Sequence, residues 1–274
     1  ASEGAKINIA RLCLEASEQE LALTHNAQPA IFTLSSAILR VLKELGFAQE
    51  PAVLAGHSLG EFTAGFAGGV FTAGEGAYLV RKRGEFMQAV APSGTGGMSA
   101  VIGVDEDTVR KVISSCRHFV EIANYNSSRQ VVLSGTVKAL RQVEAELTRA
   151  GAKVVRLAVS APFHTKVMKR AGDLLKELMS GMEFKPSAVP ILNNVDVRLL
   201  KEPDEIKDSY YRQVFSPVRW KEVVLKMARL GVDKVYEIGP KKVLKGLIRQ
   251  TVKGIEVVNV EKPQDIEKVL KCAK

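Results

Sequence analysis

Apolar positions along the chain keep two rhythms. Ile31, Leu34, Ile38, Val41, Leu42 and Leu45 recur at helical spacing. They predict a helix running from Asn26, with Pro29 in its first turn and Gly46 as its stop. Residues 1–25 ahead of it read as a polar, loosely helical lead-in. Pro51-Ala-Val-Leu-Ala-Gly56 shows no alternation, as a short strand buried on both faces would. His57-Ser58-Leu59-Gly60-Glu61 follows and opens another helix. A third helix carries Tyr78, Leu79, Arg83, Phe86 and Met87, and Pro92 to Gly97 reads as a linker.

The rhythm then changes. Strands are predicted at Met98–Gly103, Phe119–Ala123, Gln130–Ser134 and Lys153–Val159. Asn124, Asn126 and Ser127 sit in a turn between the second and third. Helices are predicted from Asp105, as cap, to about Cys116, and from Val137 to Ala150. The order βαββαβ is that of the ferredoxin-like split unit. Beyond it come a helix at 164–181, a strand near Val189–Asn193, a helix around Trp220–Leu230, and a strand Lys234–Ile238 ending in Gly239-Pro240. A helix at 241–250, a strand near Ile255–Val260 and a terminal helix to Cys272 complete the chain. Strands alternating with helices predict an α/β fold with a hydrolase-like core, a mostly parallel sheet covered by helices. The expected division is a large α/β subdomain at 1–94 and 161–274, with a ferredoxin-like subdomain at 95–160 inserted in it.

Composition narrows the classes. The 274 residues are 46% hydrophobic and 25% charged, as in an ordinary soluble enzyme. No apolar run approaches the roughly 18 residues that span a bilayer, and no signal segment opens the sequence. Cys13, Cys116 and Cys272 match no metal spacing, and with four histidines a zinc site is not expected. A reduced, cytoplasmic setting fits the cysteines. The net charge of +9 favours anionic partners. The basic residues are scattered, and Trp220 is the lone tryptophan, so nucleic-acid recognition is not expected.

Gly56-His57-Ser58-Leu59-Gly60 fits G-x-S-x-G between a strand and a helix, the context that gives this motif meaning. Such a turn would push Ser58 out of the sheet edge. The N–H of Leu59, at the helix start, could then receive a developing oxyanion. A glycine-lined turn without chemistry is the plainer alternative. A serine nucleophile needs a base. His25 falls in the lead-in, His118 in the inserted unit, and His57 on the sharp turn, facing elsewhere. His164 follows Ser160-Ala-Pro-Phe163, where the inserted unit rejoins the main sheet, and can look across a cleft at Ser58.

Gly56-His57-Ser58-Leu59-Gly60-Glu61, Arg83-Gly84, Pro162-Phe163-His164-Thr165 and Ile238-Gly239-Pro240 together resemble the malonyl-CoA:acyl carrier protein transacylases, and the acyltransferase domains of polyketide and fatty acid synthases. The resemblance runs through nearly the whole chain. It implies that Ser58 is the acylated nucleophile and His164 the base and later the acid. It implies that Arg83 grips the malonyl carboxylate through two hydrogen bonds, which guanidinium geometry favours. Gln213 resembles the position whose backbone carbonyl orients the histidine. Asn126 resembles a family asparagine near the site. Phe163 has the form associated with malonyl over methylmalonyl. The implied partners are a coenzyme A thioester, malonyl-CoA as substrate, and acyl carrier protein. No metal or redox cofactor is implied, and a monomer is.

The family pattern also opens with a buried strand and a Gly-Gln-Gly loop that supplies a second oxyanion donor. No Gly-Gln-Gly occurs here. By element lengths the sequence starts roughly 30 residues into that pattern. Two other classes compete. An α/β-hydrolase esterase or thioesterase would place its histidine late in the chain, but none follows His164. A catalytically idle docking module would have no need of Ser58, Arg83 and His164 together.

Overall fold

The structure is a computed structural model that describes residues 1–91, 94–159 and 161–272, the last by its backbone alone. Pro92 and Ser93 of the expected linker, Ser160 of the expected junction and the Cys272 side chain lie outside the described residues.

The lead-in folds into three short helices, Ser2–Ala5, Ile9–Leu14 and Glu18–Ala22. Asn8 and Ser17 cap the second and third through backbone N–H groups of Arg11 and Glu20. It is less polar in effect than its composition suggests, because Ala5, Ile9 and Leu12 are buried. The long helix runs Thr24–Glu44, two residues earlier than expected, so Pro29 lies inside it. Pro29 cannot donate to the carbonyl of His25. That carbonyl instead accepts a 2.9 Å hydrogen bond from Arg81 Nη1 on the neighbouring helix, Ala73–Val90. The buried face also differs from the sequence stripe. Phe32, Ser35, Ile38 and Leu42 are buried, whereas Ile31, Leu34, Val41 and Leu45 are 39–59% exposed. Close packing of the two helices decides this. A Cβ at Gly76 would meet the Phe32 ring at 2.3 Å, and one at Gly84 would meet the His25 backbone at 2.6 Å.

Among the described residues, the expected single, mostly parallel sheet is replaced by two small ones. Leu54–Ala55 pairs parallel with Ile191–Leu192, which pairs antiparallel with Leu199–Leu200. Lys234–Ile238 pairs parallel with Glu256–Val260 as a separate two-stranded sheet. The first strand is short because Pro51 precedes it and the turn at Gly56 ends it. Helices Leu59–Ala67, Pro203–Gln213, Trp220–Arg229, Val243–Thr251 and Pro263–Cys272 pack around these strands. The helix Pro203–Gln213 and strand Leu199–Leu200 were not expected from the pattern. The helix expected at 164–181 is a 3-10 turn, Lys166–Met168, leading into helix Lys169–Ser180.

Residues Gly96–Arg156 run strand, helix, strand, strand, helix, strand. The sheet is antiparallel, ordered Val120–Ser127, Gln130–Thr136, Gly96–Ile102, Lys153–Arg156. Its two helices, Glu106–Ser115 and Val137–Arg149, are capped by Asp105 and Thr136. The turn expected at Asn124–Ser127 falls later, at Ser128-Arg129, and those residues continue the strand through two register shifts. Such bulges re-aim side chains. Here the bulged edge joins the rest of the protein: Tyr125 N–H donates to Val218 O at 2.9 Å, and Val218 N–H to Ala123 O at 2.8 Å.

Candidate active site

Ser58 stands between strand Leu54–Ala55 and helix Leu59–Ala67, with φ 50° and ψ −106°. A non-glycine residue holds such a backbone only when its surroundings impose it. The crossing is so tight that a Cβ on Gly56 would lie 1.9 Å from the carbonyl carbon of Gly60. Only the first glycine of the motif is required by space, since a Cβ on Gly60 would meet nothing within 4 Å. Leu59 begins the helix, so its N–H belongs to the turn whose donors have no intrahelical acceptor.

The expected residues converge. Ser58 Oγ lies 2.7 Å from His164 Nε2 and accepts from Arg83 Nη2 at 3.1 Å. His164 too has a positive φ, 58°, on the segment returning from the four-stranded sheet. Its Nδ1 faces the backbone carbonyl of Gln213 at 3.0 Å. A carbonyl only accepts, so Nδ1 carries the proton and Nε2 is left as the acceptor toward Ser58. Burial, and then the neighbouring Arg83 charge, push the His164 imidazole down to about 3. The ring is therefore neutral at ordinary pH and free to take a proton.

Arg83 is 2% exposed, and its hydrogen-bond partners among the described residues are neutral. Nη1 donates to Gln28 Oε1 at 2.7 Å, and Nη2 to Gln213 Oε1 at 2.9 Å as well as to Ser58. The guanidinium lies over the Phe62 ring, 5.1 Å from its centre. Its Nε–H is buried with no partner among the described residues. Burial lowers its pKa to about 10, with Glu61 acting the other way, so it remains a cation. A buried cation held only by amides and a hydroxyl could receive an anion beside Ser58.

The remaining expected residues sit differently. Phe163 is buried next to His164 in the chain and belongs to the large apolar core. Among the described residues Asn126 makes no hydrogen bond to Ser58. Its Oδ1 lies 2.8 Å from His57 Nε2, and the His57 ring packs beside Trp220 at 5.7 Å. His57 thus turns away from the serine. Among the described residues no group of three His, Cys, Asp or Glu could hold a metal ion. No helix among them is long and apolar enough to cross a membrane.

Sequence reasoning missed the residues that brace this turn. Asn194 accepts from Ser58 N–H at 2.7 Å and donates to Gly56 O at 2.8 Å. Gln213 contributes its side chain as well as its carbonyl, donating to Ser58 O at 3.1 Å. The Asn194 backbone N–H and the Gln213 side-chain amide both donate to the buried carboxyl of Glu61. Asn194 follows the end of strand Ile191–Leu192, where α/β sheets collect functional groups, and that position was the available signal. Gln28 gave none.

A strained serine at a strand–helix turn, a histidine aligned by a backbone carbonyl, and a buried arginine define a serine acyltransferase type of site. The chain belongs to the acyl transferase domain family, which matches residues 2–267. Over its whole length it is 37% identical to the malonyl CoA-acyl carrier protein transacylase of Bacillus subtilis, covering 87% of that protein. The Escherichia coli K12 protein of the same name is 39% identical over 89% of this chain and 80% of its own. Among solved structures, a type II PKS acyl-carrier protein in complex with its malonyl-transacylase superposes with TM-score 0.95 at 35% identity, covering 99% of this chain and 88% of that one. An acyl-carrier-protein S-malonyltransferase from Burkholderia pseudomallei superposes with TM-score 0.94 at 38% identity, over 98% and 89%.

Proposed function

We propose that this chain moves a malonyl group from malonyl-CoA to the phosphopantetheine thiol of an acyl carrier protein by way of an ester on Ser58, supplying extender units for fatty acid synthesis. The observation that carries the reading is the meeting of two groups at one oxygen: Ser58 Oγ is 2.7 Å from His164 Nε2 and 3.1 Å from Arg83 Nη2.

His164 Nε2 takes the Ser58 proton as Oγ attacks the thioester carbonyl. The Leu59 N–H stabilises the oxyanion, since the Ser58 N–H is already held by Asn194. Collapse breaks the carbon–sulfur bond, and His164 returns the proton to coenzyme A as its thiol. The carrier's thiol then gives its proton to His164 and attacks the malonyl ester. Ser58 leaves with that proton, in a ping-pong cycle. The Gln213 carbonyl keeps His164 in the tautomer that can accept. Arg83 turns from its neutral partners to the malonyl carboxylate, which offsets its buried charge. Phe163 limits room at the acyl α-carbon. Asn126 borders the substrate through its amide nitrogen, its oxygen being engaged by His57. These side chains serve every step, with no resident cofactor.

Residues 1–94 and 161–274 form the large subdomain and 95–160 a ferredoxin-like one in this reading. Support comes from a separate apolar core built of Val101, Leu133, Leu140 and Val143. We further read the protein as a monomer of a reducing cytoplasm, in keeping with free Cys13 and Cys116.

Intact mass after mixing with malonyl-CoA tests the reading. A malonyl adduct is expected that is absent in Ser58→Ala and passes to added carrier protein. Release of free malonate without transfer would make the chain a hydrolase, and a folded chain forming no adduct would be an idle module.

A further inference from the structure

The most deeply buried charged group of the site lies outside every step above. Glu61, on the first turn of helix Leu59–Ala67, is 0% exposed. Its Oε2 accepts from the Asn194 backbone N–H at 2.9 Å and from Gln213 Nε2 at 2.8 Å. Its Oε1 accepts from Ser209 Oγ at 3.0 Å. The two partners on Oε2 are the ones that grip Ser58. The Asn194 side chain takes the Ser58 N–H, and Gln213 Nε2 also reaches the Ser58 carbonyl. The other end of the Gln213 amide accepts from Arg83 Nη2. One carboxyl therefore ties together both backbone holds on the strained serine and, one amide further on, the guanidinium.

We infer that Glu61 is a positioning residue: through Asn194 and Gln213 it fixes Ser58 against Arg83, and its charge sets how strongly Arg83 holds an acyl carboxylate. The specificity half of this rests on the malonyl-transfer reading, while the positioning half does not.

The hydrogen-bond pattern allows two charge states. Among the described residues only Ser209 hydrogen-bonds Oε1, and its hydroxyl, which also accepts from Asn193 Nδ2 at 3.0 Å, has a second lone pair with which to turn from donor to acceptor. A proton on Oε1 thus leaves the Asn194 and Gln213 contacts intact. The titratable and charged groups facing this carboxyl are Arg83, from helix Ala73–Val90, and Tyr210, from helix Pro203–Gln213. His164, at Ser58, feels the charges of Arg83 and His57, and neither histidine shifts the Glu61 carboxyl. Tyr210 donates to the Glu61 backbone carbonyl and stays neutral, its pKa pushed up by burial. Burial raises the Glu61 carboxyl to about 7, against the pull of Gln213, Asn194, Ser209 and Arg83. As pH rises through neutrality Glu61 ionises, offsets Arg83, and loosens its hold on a second anion.

The test compares Glu61→Gln with Glu61→Ala. Glutamine can keep its oxygen toward Asn194 and Gln213 and offer its amide nitrogen to Ser209, while removing the charge. Two readouts are taken. One is the rate at which phenylmethylsulfonyl fluoride labels Ser58, with an oxygen–sulfur bond forming, fluoride leaving and the proton going to His164. The other is acylation by malonyl-CoA and acetyl-CoA from pH 6 to 8. Loosening the turn in Glu61→Ala is expected to slow labelling about 100-fold, and Glu61→Gln is expected to restore it. Malonyl-CoA KM should rise with pH in the unmodified protein and stay flat and low in Glu61→Gln. A folded Glu61→Ala labelled at the unmodified rate would overturn the proposal. If that variant does not fold, Glu61→Gln decides, and a KM as pH-dependent as before would overturn it. An unmodified protein that is labelled by the sulfonyl fluoride but never malonylated would sink the transfer reading alone, leaving the labelling comparison to judge Glu61.

Discussion

The core of the four-stranded unit and the residues that brace Ser58 are both buried, yet they are built from opposite materials. In the first, Val101, Leu133, Leu140, Val143 and Leu147 from two strands and one helix form one apolar cluster. In the second, Glu61, Arg83, Gln213 and Asn194, each at most 2% exposed, occupy space that apolar residues could fill. An apolar core stabilises by area removed from water and tolerates repacking. A buried polar network stabilises weakly, but any member left unpaired is costly, so it permits few arrangements. The polar network trades stability for a fixed geometry around Ser58, whose backbone would not hold φ 50° unaided.

That contrast can be broken by substitution. The largest effect on chemistry is expected at His164. His164→Ala should lower the saturated acylation rate about 100- to 10,000-fold while changing thermal stability far less than a core truncation does. With His164 held near 3, the same rate in the unmodified protein should stay level from pH 8 to 6, because the base is already unprotonated. A fall centred on the ordinary imidazole pKa would show instead that the ring is less desolvated than its burial implies. On the other side, Leu140→Ala should destabilise by about 2–5 kcal/mol, seen as a lower Tm, with Ser58 labelling at low temperature unchanged. A drop in labelling would mean that the two regions are mechanically coupled, through Asn126 and His57 across the bulged strand.

The same contrast explains what could be read from sequence. The βαββαβ order could be read from the succession of short strand and helix segments with Asp105 as a cap, because local pattern decides local structure there. Ser58, His164 and Arg83 could be found because motif residues flank them. The stripe Ile31, Leu34, Val41 and Leu45 misled, because the partner helix chose the face with Phe32, where glycines allowed close approach. The single sheet was over-read for a related reason: apolar runs predict strands but not which strands will pair. Gln28, Asn194 and the Gln213 side chain act through contacts between residues far apart in sequence, and no periodicity marks them.

The central claim is that Arg83 receives the free carboxylate of the acyl group that Ser58 takes on. Its most direct test is the ratio of Ser58 acylation rates from malonyl-CoA and acetyl-CoA, measured by intact mass in the unmodified protein and in Arg83→Ala. Losing a charge-assisted two-point contact should lower that ratio by about 100-fold, almost entirely through malonyl. An equal fall for both donors, or an unchanged ratio, would contradict the account.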